Sequence, residues 1–273
     1  MKARLADRAA LWAGGTDLLL QWQRGAVDFE SCIDLSGLDG LATIHSGPTE
    51  TRIGALTTIA SLSVDDHIAD TFPVLVEMAA LFATPQIRHL ATLGGNLCHA
   101  VPSADAATPL IALDAEVDLV ATSGNRTLPL ESFFTGAKQT VLRPDEILTE
   151  IRIPRPEPRT ACSFQKMMRA SVDIALVSAT CRLTVDLDGR IVEARVVLGA
   201  VAPTPIRSTG AEDLLTGKAL QEVTGEVMAE AGTLAAADTR PISDVRTTAD
   251  YRRHASGVLT RRAVEQAVRS LEQ

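Results

Sequence analysis

Leu11-Trp12-Ala13-Gly14-Gly15-Thr16-Asp17-Leu18 and Thr92-Leu93-Gly94-Gly95-Asn96 carry most of what this sequence reveals. Each sets paired glycines beside hydroxyl or amide side chains. Without a Cβ the backbone reaches positive φ and approaches a ligand closely. Successive N–H groups then converge into a concave anion site, to which Thr16, Thr92 and Asn96 add side-chain donors. A single diglycine is a turn. Two of them, each after an apolar segment, are better explained by one long ligand carrying two phosphates.

Outward from these motifs, Ala10-Leu11-Trp12 reads as a buried strand entering the first loop, with further short strands over 32–35 and 51–54. Asp70-Thr71-Phe72-Pro73 has the form of a helix start, a polar cap with proline in the first turn. Leu75, Met78, Ala79 and Phe82 follow at helical spacing. Ser103 is placed to cap a helix reaching 110–113, which sets Asp105 in its first turn. Over 116–154 the pattern turns β-like, and Ile147, Thr149, Ile151 and Ile153 share one face by alternation. Pro154-Arg155-Pro156-Glu157-Pro158-Arg159 is a stiff polar connector and divides the chain into domains of residues 1–158 and 159–273. Beyond it, two apolar strands over 174–187 and 190–201 are joined by Asp188-Gly189, a hairpin signal. Helices follow over 223–237 and at the C-terminus, where Val264, Ala267, Val268 and Leu271 fall on one face. The fold class is α+β in two domains.

With 273 residues and 46% hydrophobic content the chain buries a core readily. A net charge of −8 argues against a nucleic-acid partner, and 3% aromatics are too few for a base-stacking platform. No apolar run approaches the roughly 18–20 residues of a membrane span. Met1-Lys2-Ala3-Arg4-Leu5-Ala6-Asp7-Arg8 is broken by charge and has no signal-peptide core, so a soluble, cytoplasmic protein is expected. Cys32, Cys98, Cys162 and Cys181 form no C-x-x-C and supply no iron–sulfur or zinc pattern; each reads as a small buried hydrophobe. His89 and His99 flank the second glycine motif, with structural roles favoured over ligand contact. No metal site is expected. There is no G-x-G-x-x-G after a strand, no P-loop, no H-E-x-x-H and no G-x-S-x-G. What remains is a diphosphate-binding protein of non-Rossmann type.

The two motifs, with Pro102-Ser103-Ala104-Asp105 after the second, resemble the flavin motifs of the medium, FAD-binding subunit of molybdenum hydroxylases, the xanthine dehydrogenase and carbon monoxide dehydrogenase family. The likeness continues through Glu146-Ile147-Leu148, Phe164-Gln165-Lys166 and Asp173-Ile174-Ala175. Ala202-Pro203-Thr204-Pro205-Ile206-Arg207 and Asp250-Tyr251-Arg252-Arg253 look like the family's C-terminal domain. The resemblance implies a two-lobed FAD-binding domain of the PCMH/VAO type, then a smaller domain of antiparallel sheet plus helices. Family members carry further residues ahead of the first loop, which leaves the first strand and the start codon open.

FAD is the implied cofactor. Ala13, Gly14, Gly15, Thr16, Asp17 and Leu18 are implied to hold its pyrophosphate, and Thr92, Gly94, Gly95 and Asn96 to close over the phosphates and ribityl chain. Asp105 matches an aspartate that hydrogen-bonds the flavin's sugar portion. Phe82 matches an aromatic against the isoalloxazine, and Leu148 an aliphatic residue near the adenine or the ring. Periodicity alone would put both in the core. Lys166 matches a lysine near the flavin ring, while a solvated surface lysine is an equal reading of the residue itself. The loop over 167–173 is expected to shape acceptor access. The resemblance also implies a small [2Fe–2S] subunit and a large molybdenum-cofactor subunit in an (αβγ)2 assembly, with electrons leaving for NAD, oxygen or a quinone. The hydroxylated substrate is then chosen in another polypeptide, and no catalytic residue is assigned. Two other readings are a free-standing flavin oxidase or dehydrogenase and a non-catalytic nucleotide-binding assembly module.

Overall fold

Apolar residues at periods near two and near 3.6 sort this chain into sheets and covering helices. The computed structural model describes residues 8–273; the charged N-terminal stretch discussed above lies, through residue 7, outside them. In the first lobe β1 (Ala9–Trp12) and β2 (Ser31–Asp34) pair in parallel, from Ala9 opposite Ser31 to Trp12 opposite Asp34. Parallel strands need a crossover, and this one holds the first glycine motif and α1 (Leu18–Gln23). Only Ala9 of β1 is buried; Ala10, Leu11 and Trp12 are half-covered, so the expected buried strand is a partly open one.

The second lobe is built on a five-stranded antiparallel sheet in the order β3-β4-β9-β5-β6. Its strands are β3 (Ile44–Ser46), β4 (Glu50–Gly54), β5 (Glu116–Ala121), β6 (Gly124–Pro129) and β9 (Ile147–Pro154), with the short hairpin β7 (Phe134–Gly136) and β8 (Gln139–Thr140) between the last two in sequence. Between β4 and β5 run α2 (Ile59–Val64), α3 (Asp66–Thr71), α4 (Pro73–Ala80), α5 (Pro85–Arg88), α6 (Leu93–His99) and α7 (Ala107–Ala112). Ile53, Val117, Leu119, Ile151 and Ile153 of the sheet pack with Leu75 and Met78 of α4 in one core. Burial of each such side chain contributes about 1.5–3 kcal/mol relative to exposure.

Three local expectations need correction. Ile147, Thr149, Ile151 and Ile153 do not share one face. Asp118 pairs with Glu150 but Leu119 with Leu148, so Thr149 is the extra residue of a bulge. The bulge resets the alternation, and Leu148 joins Ile151 and Ile153 in the core while Ile147 is only half-buried. Pro73 does open α4, but its cap is Phe72, without a side-chain hydrogen bond. Asp70 and Thr71 instead close α3, which Asp65 caps by accepting from the Ile68 N–H at 3.0 Å. Ser103 caps nothing: α7 starts after Ala106, and Asp105 stands ahead of the helix rather than in its first turn.

After the connector comes a four-stranded antiparallel sheet in the order β10-β11-β12-β13, made of β10 (Thr160–Met167), β11 (Val177–Val185), β12 (Ile191–Gly199) and β13 (Ile206–Arg207). The Asp188-Gly189 hairpin forms as expected, with Gly189 at φ +76°. β11 starts later than its apolar run suggests, because residues 168–176 form a loop. All nine residues of β11 are buried, as a strand covered on both faces requires. On one side lie α8 (Thr209–Leu215), α9 (Gly225–Ala237) and α10 (Ala249–Glu272), whose Val264, Ala267 and Val268 are buried and Leu271 half-buried. On the other side lies α7, buried along its whole length, where the Thr180 hydroxyl donates to Thr108 Oγ1 at 3.1 Å. Phe164 and Val197 of this sheet belong to the core of the second lobe. The α+β domains are interlocked rather than tethered.

Candidate functional site

A cavity of about 870 Å³ opens where the first lobe, the second lobe and the C-terminal loops meet. It lies toward the upper end of small-molecule sites. The two glycine motifs come together on its wall. A Cβ on Gly14 would overlap the Leu90 carbonyl oxygen and stand 3.2 Å from Ala91 Cα, just ahead of Thr92. Gly15 has φ +69° and lies against the Trp12 ring, a conformation that side chains resist. The first motif is thus the tight turn its glycines predict.

The second motif differs from the expected positive-φ loop. Residues 93–96 are the first turn of α6, and Thr92 caps it by accepting from the Gly95 N–H at 3.1 Å. Gly94 is small because Ala55 packs against it, 2.6 Å from where its Cβ would stand. The Cβ position of Gly95 is crowded only by Thr92 Oγ1, at 2.8 Å. The turn's N–H groups are largely taken, since Gly94 donates to the Ala55 carbonyl at 2.8 Å and Asn96 to that of Thr92 at 3.0 Å. By contrast, the N–H groups of Gly14, Gly15, Thr16 and Asp17 donate to no acceptor among the described residues, and all four residues line the cavity. Asn96 Oδ1 accepts from the Ala106 N–H at 3.3 Å, and its amide NH2 has no partner among the described residues. Lys138 and Arg240 also line the cavity, and their side chains have no hydrogen-bond partner among the described residues.

His99, at the end of α6, ties the lobes together. Its Nδ1 lies 3.3 Å from Asp17 Oδ2 and its Nε2 2.8 Å from Gln21 Nε2. The hydrogen bond from His99 holds the Asp17 carboxyl below its ordinary value. His99 therefore has the structural role favoured from sequence and also faces the cavity; His89 is exposed and does not. Two cysteines depart from expectation: Cys32 and Cys98 are exposed, the latter on the cavity wall, while Cys181 is buried.

Phe82, 8% exposed, also forms part of the wall. Asp105 lines the cavity too, its Oδ1 buried and without a partner among the described residues. Its Oδ2 accepts from Lys166 Nζ at 2.7 Å. The Lys166 side chain is 1% exposed, so it is not the solvated lysine that one reading allowed, nor does it line the cavity. Leu148 and Gly94 are buried behind the wall. Of the residues singled out from sequence, Ala13, Gly14, Gly15, Thr16, Asp17, Leu18, Phe82, Thr92, Gly95, Asn96 and Asp105 are brought to one cavity; Gly94, Leu148 and Lys166 stand behind it.

In the C-terminal half of the cavity, sequence assigned a role only to the loop over 167–173, expected to shape acceptor access. Val172, Asp173 and Ile174 of the β10–β11 loop contribute to it, as do Arg240, Asp244 and Arg252. Arg252 is 5% exposed and donates to the carbonyls of Leu176 and Ala200 and to Asp244 Oδ1. Burial alone would raise the Asp244 carboxyl, but the Arg246 and Thr247 N–H groups and the Arg252 guanidinium bring it down to about 2. A signal was present, since Arg252 occupies an apolar position of α10, in helical phase with Ala255 and Leu259, and a charge there demands buried partners.

Comparison with known proteins follows the same lines. Residues 1–156 match the FAD binding domain in molybdopterin dehydrogenase, and residues 162–267 match the CO dehydrogenase flavoprotein C-terminal domain. The chain is 34% identical to a xanthine dehydrogenase FAD-binding subunit of Escherichia coli, over 97% of this chain and 91% of the relative. It is 34% identical to the carbon monoxide dehydrogenase medium chain of Afipia carboxidovorans, over 97% of this chain and 90% of the relative. Among solved structures, a Cu,Mo-CO dehydrogenase chain superposes with a TM-score of 0.93 at 34% identity, covering 98% of this chain and 92% of that one. A chain of quinoline 2-oxidoreductase from Pseudomonas putida 86 also superposes with a TM-score of 0.93, at 29% identity, covering 100% of this chain and 94% of that one.

Proposed function

We infer the role of this chain from its kinship and its cavity: it belongs to the family of FAD-binding subunits of molybdenum hydroxylases, an oxidoreductase subunit with FAD as its cofactor. Our proposal places that cofactor in the cavity between the lobes. The observation that carries it is that the N–H groups from Gly14 to Asp17 and the acceptor Asp105 Oδ1, none with a partner among the described residues, belong to residues that line one cavity. The donor set fits the parts of FAD. A diphosphate takes the free N–H groups, the Thr16 hydroxyl and the Asn96 amide. A sugar-chain hydroxyl satisfies Asp105, whose buried oxygen is otherwise left unpaired. Phe82 supplies an apolar wall for the ring. Thr92, Gly95 and Leu18 shape the approach; Gly94 and Leu148 support it from behind. We assign residues 1–158 to the FAD-binding domain and 159–273 to the C-terminal domain.

FAD supplies the redox chemistry; this chain supplies position and electrostatics. In the assembly we propose, the chain takes electrons from [2Fe–2S] clusters of a small partner subunit, and a large subunit holds the molybdenum cofactor in an (αβγ)2 complex. It delivers them to an external acceptor, NAD, oxygen or a quinone, past the loop of Val172 and Ile174. Among the described residues no helix is long and apolar enough to cross a membrane, and we place the complex in the cytoplasm. Purification of the tagged chain from its native host tests this reading. A flavin spectrum with a co-eluting iron–sulfur and a molybdenum subunit is expected; a lone yellow protein that oxidises a small substrate unaided would overturn the assembly.

A further inference from the structure

A buried ion pair joins the C-terminal sheet to the cavity's wall. Lys166 stands near the end of β10, and its ammonium crosses to the FAD-binding domain. There it donates to Asp105 Oδ2 at 2.7 Å and to the Leu81 carbonyl at 3.0 Å. Leu81 begins the turn that carries Phe82 into the wall. That turn is constrained, with Ala83 at φ +35°. Arg88 Nε holds its other side through the Phe82 carbonyl at 2.7 Å. One lysine therefore touches both a carboxylate of the cavity lining and the backbone that presents the aromatic ring.

We propose that Lys166 is a positioning residue for FAD: it keeps Asp105 an ionised acceptor for a cofactor hydroxyl and fixes the Leu81–Phe82 turn, without touching the cofactor. This rests on the placement of FAD given above. A direct electrostatic contact with the ring would need the ammonium at the cavity surface, where it does not lie. A buried carboxylate deprived of its counter-charge takes up a proton. Burial already pushes the Asp105 carboxyl up, and Lys166 is the charged group that pulls it down. Once protonated, Asp105 offers a donor where an acceptor is needed.

The test titrates FAD into the cofactor-stripped full-length chain, read by flavin fluorescence across a pH series. Lys166→Met and Asp105→Asn should each weaken FAD binding by about tenfold or more, and the double variant should be no weaker than the weaker single. Wild-type affinity should fall as pH drops through the titration of Asp105. That fall should begin at higher pH in Lys166→Met and return to the wild-type position in Lys166→Arg. Multiplicative losses in the double variant, or a Lys166→Met midpoint identical to wild type, would overturn the proposal while leaving FAD in its cavity. A wild-type chain that takes up no FAD would overturn the placement, and this inference with it.

Discussion

Gly14 shows how far a single position commits this site. Its backbone needs no special φ; what it needs is the absence of a side chain, because the Leu90 carbonyl occupies that space and so brings the two motifs together. Gly14→Ala should therefore purify colourless while keeping its far-ultraviolet circular dichroism, and Gly37→Ala, with nothing within 4 Å of its Cβ position, should stay yellow. A yellow Gly14→Ala protein would contradict the contact. Asp244 makes a second prediction at this scale. Its folded carboxyl lies at about 2 against an ordinary 3.8, so the stability it contributes is present above 3.8 and lost as pH falls toward 2. Asp244→Asn should melt lower than wild type at neutral pH, and the gap should close over that acid window; a constant gap would remove the carboxylate's charge from the account. The glycines were legible in sequence because their signal is local. Lys138 and Arg240 were not, because nothing beside them in the chain says they meet at a cavity; Arg252 betrayed its burial by its helical phase, but not its place at the site.

At the scale of the element, α6 turns a glycine motif into a helix start. Thr92 satisfies the Gly95 N–H, so Thr92→Ala should cost about 1 kcal/mol, measured by urea unfolding, and should also weaken FAD. An unchanged midpoint with unchanged affinity would show that the cap is dispensable. The same element explains why the two motifs, expected as alike positive-φ loops, differ in backbone form. A diglycine reads alike in a positive-φ turn and in a capped helix packed on Ala55, and the neighbour that decides between them lies far off in sequence. The β9 bulge escaped for the same reason. Alternation over Ile147, Thr149, Ile151 and Ile153 is real, but the extra residue is set by pairing with β5. The Asp188-Gly189 hairpin, whose cause is contained in two residues, was fully legible.

For the whole molecule, the joint between domains matters most. Asp114 accepts from Arg182 at 2.6 Å and from Arg195 at 3.0 Å, while α7 is buried between the second lobe and the C-terminal sheet. Asp114→Asn keeps a residue tolerant of its φ of +53° but removes the charge, and should cost about 1 kcal/mol in a single cooperative transition. Two separated transitions in the wild-type chain would contradict the interlock. Two domains of these types were legible because each hydrophobic pattern is contiguous; the joint was not, since its ion pairs cross the connector. The cavity exists only because all these parts meet, and its proposed occupant is tested most directly by a crystal structure of the holo complex. The account predicts FAD with diphosphate oxygens accepting from the N–H groups of Gly14 to Asp17 and a hydroxyl on Asp105 Oδ1. A diphosphate bound elsewhere, with those N–H groups facing only water, would contradict it.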